Sequence, residues 1–367
     1  MQRKCDQLWI KELSQEELKS GMDFRKIECR RAVFLCLYEF NLKFRAHAGG
    51  VYQFIPYLSE LFKWNIEERL WFATLNGMTQ YAMSTLEIFK HIPVPPFTDD
   101  KFAEFDKWFN ESWAKLPVDA DRKWQKRDIP KAVKIANERV KEYGSLLAFY
   151  TGDFKTIWNR MRTELYSLGR LGVWSGMEFC KIAGNLEIEY DSLMLRDMEG
   201  SKSHRNGLCR ILGLDNLDWH KQSNPDFNGK YTEEELLFLE KEGEILLKDA
   251  KQRFADRDFI KDVGYQTLET ALCNFKSSFR KSRRYVSVYN DMAYGRLIEI
   301  SIKNPSLDLK PFYDAREFYL PDSLRIECNP AHPQFNSTSL SKWHQNLYRE
   351  TGQIPNLEVL YDCFKIT

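Results

Sequence analysis

The apolar positions of this chain recur at helical spacing along nearly its whole length. Between Tyr265 and Glu299, the residues Leu268, Leu272, Phe275 and Phe279 fall at i, i+4, i+7 and i+11, as in a helix packed on one side against a core. A longer helix is predicted over roughly 23–45, with Val33, Leu35, Leu37 and Phe40 among its apolar residues, and AHAGG ends it. VYQFIPYLSELFKWN gives another helix with a proline inside, and Asn65 then caps a long one, IEERLWFATLNGMTQYAMSTLEIFKHI. Pro93 to Pro96 mark a linker, Thr98 caps a Trp-rich helix, Pro130 starts a helix to about Gly144, and a further helix runs from Gly152 to Tyr166. Ser14 with Glu17 and Thr232 with Glu235 have the spacing of capping boxes. After the 265–299 stretch the pattern turns to Pro and Asx turns with a short strand or two, before SLSKWHQNLYRETG and NLEVLYDCFK close the chain as helices. The expected fold is mainly α, a multi-helix globular bundle with little or no β, divided into an N-terminal helical region (1–95), a central region (96–310) and a C-terminal extension (311–367).

Three places interrupt this pattern. Asn76, Gly77, Met78, Thr79 and Gln80 set polar residues into an apolar helix, where Gly costs about 1 kcal/mol relative to Ala and buried amides need partners. One explanation is a base-edge or substrate contact by Asn76, Thr79 or Gln80; the other is a kink whose amides bond to neighbouring backbone. The segment SLGRLGVWSGMEFCKIAG, holding Gly169, Gly172 and Gly176, reads as a glycine turn between two helices. Such turns bind phosphate backbones through their amides, although the spacing here is G-x-x-G rather than G-x-G. Finally, 200–206 reads as a loop leading into a helix at Gly207. That places Ser203, His204, Arg205 and Asn206 near an N-terminus, where free amides favour an anion.

Composition narrows the chemistry. With 54 basic and 53 acidic residues the net charge is +1, so no global field draws the chain to nucleic acid and any such binding is local. Aromatic residues make up 14%, including 10 Trp, enough to supply stacking surfaces as well as a core. The eight cysteines form no C-x-x-C pair and read as reduced. The six histidines lack metal-ligand spacing, so neither a metal nor another cofactor is expected. No run is long enough for a signal peptide or a membrane span, which predicts a soluble intracellular protein.

One residue over from the apolar stripe at 268–279 lies a second stripe, Glu269, Cys273, Lys276, Arg280 and Arg284. A carboxylate, a thiol and three cations border the buried face, which can be a solvated charge ladder or a place to hold an anion beside an acid. Tyr285, Tyr289 and Tyr294 follow among Lys281, Arg283 and Arg284, and cations beside flat rings suit phosphates and unstacked bases.

FATLNGMTQ, SKSHRNGLCRILG and TALCNFKSSFRKSRRY together resemble the amino acid:DNA transferases, also called alpha-glutamyl/putrescinyl thymine pyrophosphorylases, of bacteriophages that hypermodify thymine. The resemblance implies an all-helical fold related at a distance to helix-hairpin-helix DNA glycosylases, with catalysis and DNA binding in the central region. It implies an enzyme of the infected host's cytoplasm acting after a phage DNA kinase. Its substrate would be DNA carrying phosphorylated 5-hydroxymethyluracil, whose phosphate or pyrophosphate is replaced by the amine of an amino acid or polyamine. On that reading Glu269 or Asp291 is the base, Lys276 and Arg280 meet the leaving group, and Arg205, Asn206, Arg283, Arg284, Tyr285 and Tyr289 hold phosphate and DNA. Asn76, Thr79 and Gln80 then contact the flipped base. A glycosylase-like base-excision enzyme and a non-catalytic DNA-binding protein are the alternatives.

Overall fold

The computed structural model describes residues 23–118, 126–166, 168–198, 200–219, 227–279 and 288–325. The described residues are mainly helical, with no strand among them. In chain order the helices are α1 (Arg30–Lys43), α2 (Val51–Leu61), α3 (Ile66–Thr79), α4 (Ala82–His91), α5 (Asp99–Ser112), α6 (Ile129–Tyr143), α7 (Leu146–Phe149), α8 (Phe154–Glu164), α9 (Arg170–Gly184), α10 (Lys202–Ile211), α11 (Glu233–Arg253), α12 (Tyr265–Lys276), α13 (Val288–Lys303) and α14 (Lys310–Tyr319). The last of these occupies a portion of the stretch expected to hold turns and a short strand. Pro311 sits in its first turn, where a missing N–H costs nothing, and Phe312 and Ala315 are buried. The Ser14 capping box and the two closing helices lie outside the described residues.

Chain contacts divide the protein into two compact units. The described residues of one come from 23–47, 190–291 and 322–325, and those of the other from 48–189 and 292–321.

In the second unit the capping signals act as the sequence predicts. The Asn65 side chain accepts from the Glu68 amide at 3.0 Å while Glu68 accepts from the Asn65 amide at 2.7 Å, and Thr98 caps α5. The long helix expected after Asn65 is two helices. Gln80 takes a left-handed conformation (φ 55°, ψ 22°), which costs a residue with a Cβ on the order of 1–2 kcal/mol. Two bonds offset that cost: its side-chain amide donates to the Gly77 carbonyl at 2.9 Å, and its own carbonyl accepts from Arg296 at 2.8 Å.

The glycine segment 169–184 is a helix, α9, and not the expected turn. Gly169 is its N-cap, and Gly172 and Gly176 lie within it. A Cβ on Gly77 would lie 3.3 Å from the Gly176 Cα, so α3 and α9 cross backbone against backbone. In place of the hairpin inferred from these glycines there is a helix start at Gly169 and, at Gly176, a helix crossing. Phe54 of α2 meets Phe312 of α14 edge to face at 5.1 Å, closing the same core.

In the first unit, α12 buries Leu268, Leu272 and Phe275 completely, each adding about 1.5–3 kcal/mol relative to exposure. Phe275 packs edge to face on Phe34 of α1 at 5.7 Å, and the Tyr38 hydroxyl lies 2.7 Å from Thr267 Oγ1. Thr232 and Glu235 form the predicted capping box at the start of α11. α10 begins at Lys202 with Ser201 as its N-cap, earlier than the expected start at Gly207. The side chains of 203–206 are therefore set by helix geometry.

Candidate functional site

The site starts from a single glycine. A Cβ built on Gly207 would stand 2.2 Å from the Leu272 carbonyl oxygen and 2.8 Å from its carbon, so α10 and α12 touch backbone to backbone there. No side chain fits between them. Residues one turn away on either helix are consequently brought together without a spacer.

His204, three residues before Gly207, meets Glu269, three residues before Leu272. Nδ1 of His204 lies 2.8 Å from Glu269 Oε1, at ion-pair distance but off the alignment of a regular hydrogen bond. The imidazole is fully buried and Glu269 is 8% exposed. The other ring nitrogen, Nε2, lies 2.7 Å from the Leu193 carbonyl. A carbonyl only accepts, so Nε2 carries a hydrogen. In a neutral ring the Nδ1 lone pair would then face a carboxylate, and the contact is attractive only with a proton between the two groups. Two turns along α12, Lys276 Nζ donates to Ser203 Oγ, so neighbouring residues of α10 reach both ends of the Glu269–Lys276 stripe. Between them Cys273 is half-buried; Cys29, Cys36, Cys180 and Cys209 are buried. Burial pushes the Cys209 thiol up to about 12, with Asp218 nearby adding to the effect, so it stays protonated.

The other expected phosphate ligands on α10 face inward. Arg205 is fully buried, with Nη1 donating to the Leu195 carbonyl at 2.5 Å and the Asp197 carbonyl at 3.3 Å, and its guanidinium 4.7 Å from the Tyr231 ring. Asn206 clamps the backbone of Trp219, accepting from its amide and donating to its carbonyl, both at 3.0 Å. These polar groups hold the 195–198 and 217–219 segments against α10. His204 is likewise an internal residue and not a member of an exposed loop.

Phe279 is the last described residue before the cation-rich segment. Its ring lies 4.8 Å from the Arg30 guanidinium and 5.0 Å from that of Arg210, and it packs on Phe24 and Phe275. The two arginines are held in turn by acids: Arg30 reaches Asp215 at 2.6 Å, and Arg210 reaches Asp215 at 3.0 Å and Asp218 at 2.6 Å. The chain thus enters the cation-rich segment from a fixed point. Arg280, Arg283, Arg284 and Tyr285 themselves lie outside the described residues. Tyr289 and Asp291, in the first turn of α13, are buried.

In the second unit the polar tract of α3 is internal. Asn76 Oδ1 accepts from the Thr85 hydroxyl at 3.0 Å, and Thr79 and Thr85 hydroxyls meet at 2.5 Å. Asn76 and Thr79 are fully buried, and Gln80 caps its own helix. Of the two explanations for this tract, the internal one fits these bonds, though through a helix break and α4 rather than a kink.

A cavity of about 40 Å³ in the first unit is lined by Ile27, Arg31, Leu208, Ile211, Leu212, Glu242 and Leu246, none of them an expected site residue. It has room for water and none for a nucleobase. Among the described residues no three His, Cys, Asp or Glu groups are placed to hold a metal ion, and no helix is long and apolar enough to cross a membrane.

Residues 51–284 match the family model of the amino acid:DNA transferases. The chain is also 28% identical over 300 residues to the serinyltransferase of Salmonella phage ViI, an alignment covering 78% of this chain and 71% of that protein. No solved structure matches. The family match takes in the whole α10–α12 crossing, with Gly207, His204, Glu269 and Lys276, and ends at Arg284. More than half of the chain is matched, and the protein belongs to the amino acid:DNA transferase family, enzymes that join amino acids to DNA.

Proposed function

We propose that this transferase acts on 5-hydroxymethyluracil in DNA whose hydroxymethyl oxygen carries a phosphate or pyrophosphate. The amine of an amino acid or polyamine attacks the exocyclic methylene, a C–N bond forms, and the C–O bond breaks with its electron pair leaving on the phosphate. The proton lost by the ammonium group passes to the Glu269 carboxylate. Lys276, with Arg280, Arg283 and Arg284 following it in the chain, supplies positive charge to the departing oxygens. Tyr285 offers a ring face to a base turned out of the stack, whereas Tyr289 is buried within α13 and does not. The observation that carries this reading is the pairing of a nearly buried acid, Glu269, with a cation two turns along the same helix, Lys276, inside the segment matching the family. Asp291 is the other candidate base; it lies beyond the matched residues. The name of the phage ViI relative makes serine the first amino acid to offer. A phage kinase supplying the phosphorylated base, and action in the cytoplasm of the infected host, complete the proposal.

The test is to incubate the protein with DNA containing pyrophosphorylated 5-hydroxymethyluracil and a mixture of amino acids and polyamines, then digest to nucleosides for mass spectrometry. A nucleoside heavier by one amine residue is the expected product. Release of free base would make it an excision enzyme, and bound but unchanged DNA would leave it without activity on this substrate. Glu269→Gln and Arg280→Ala should each abolish transfer with helix content unchanged. Full activity in either variant removes that residue from the proposal.

A further inference from the structure

Nothing in the reading above uses His204, yet it is the most completely enclosed titratable group beside the proposed base. It is fully buried, it sits one turn from the tightest helix crossing in the first unit, and each of its ring nitrogens faces one acceptor: the Leu193 carbonyl at 2.7 Å and Glu269 Oε1 at 2.8 Å. We propose that His204 is the positioning residue for Glu269, fixing the carboxylate toward the incoming amine and sharing the proton that it takes up. This rests on Glu269 being the base. The Leu193 carbonyl fixes the tautomer, since the hydrogen on Nε2 leaves Nδ1 to face the carboxylate. The proton released by the ammonium group settles between Nδ1 and Oε1, which stand close enough to share it. No atom is created or lost in the step: the amine goes from RNH3+ to RNH2 and the pair gains one proton. Ser203, the residue before His204, holds Lys276 in the same way, so the first turn of α10 sets both the acid and the cation of the proposed site.

A purely structural histidine would staple α10 to α12, and its loss would lower stability without acting selectively on kcat. The experiment measures kcat and KM for transfer in His204→Ala, His204→Gln and Glu269→Gln, with thermal unfolding of each, and records the imidazole 15N signals of the wild-type protein and of Glu269→Gln. His204→Ala should lose about 10²-fold in kcat with KM for DNA changed by less than about threefold, the penalty expected for a misplaced reacting group. His204→Gln, whose carboxamide can still donate to the carboxylate, should recover at least about tenfold of that loss. Nε2 should be protonated in the wild-type protein, and the Nδ1 signal should move in Glu269→Gln. A His204→Ala kcat within about threefold of wild type, with Glu269→Gln inactive, overturns this proposal alone. Full activity in Glu269→Gln overturns the base assignment and this proposal with it. Should His204→Ala fail to fold, the Gln variant and the Nδ1 signal decide: an inactive, folded Gln variant or an unmoved signal overturns the proposal.

Discussion

Replacing Gly207 by Ala tests the crossing on which the site depends. The added methyl carbon would stand 2.2 Å from the Leu272 carbonyl oxygen, 2.8 Å from its carbon and 3.2 Å from its Cα. All three are backbone atoms of a helix, and none can rotate away as the end of a side chain would. Relief requires α10 and α12 to separate by about an ångström, and overpacking of this kind costs about 1–3 kcal/mol, here toward the upper end. Ala's better helix propensity returns about 1 kcal/mol, leaving a net loss of roughly 1–2 kcal/mol. The same separation stretches the 2.8 Å contact of His204 with Glu269 to about 3.8 Å, too far for the two groups to share a proton, so transfer should fall by about 10²-fold in protein that is still folded. Urea unfolding followed by circular dichroism gives the first quantity and the transfer assay the second. Gly264→Ala is the control: no atom lies within 4 Å of its Cβ, its φ is −156°, and both quantities should stay near wild type. If Gly207→Ala unfolds at the wild-type urea concentration and transfers at the wild-type rate, the crossing does not position the site.

Burial, with Arg45 close by, pushes the His47 imidazole down from 6.5 to about 3. The unfolded chain takes up a proton near 6.5 while the folded protein resists until about 3, so stability falls with decreasing pH across that window by up to about 1.4 kcal/mol per unit. Melting temperatures measured at several pH values should show this fall shallower in His47→Gln than in wild type; parallel curves would contradict it. Asn206→Ala removes two 3.0 Å bonds to Trp219 and leaves a half-buried amide and carbonyl unpaired, so it should lower stability by about 1–3 kcal/mol in denaturant titrations while leaving the DNA affinity of the folded protein unchanged. Weaker DNA binding by the folded variant would instead assign Asn206 to the DNA. Lys276→Gln should reduce the slope of log K against log salt by about one and slow transfer, and an unchanged slope would take Lys276 off the phosphate.

Much of the helical architecture was legible because it rests on local rules. Leu268, Leu272 and Phe275 announce their helix by spacing alone, and Asn65 and Thr232 cap theirs through residues three positions away. Glycine was the main source of error. Gly172 and Gly176 look like a turn because glycine allows one, yet both lie in a helix, where Gly176 makes room for Gly77 from a distant stretch of the chain. The polar tract at Asn76 to Gln80 reads as available for a ligand, but Thr85 and Gly77 take up most of its bonds. Arg205 and Asn206 carry the right chemistry for phosphate, but their orientation depends on where residues 195–198 and 219 lie.

The stripe Glu269, Cys273 and Lys276 is a property of the sequence, since helical periodicity alone aligns those residues. That His204 and Ser203 face that stripe is a property of the tertiary structure. The two helices are far apart in the chain, with the whole of α11 between them, and only the missing side chain at Gly207 lets their backbones meet. Periodicity fixes which residues share a face, whereas the identity of the opposing face depends on long-range packing that no local pattern encodes.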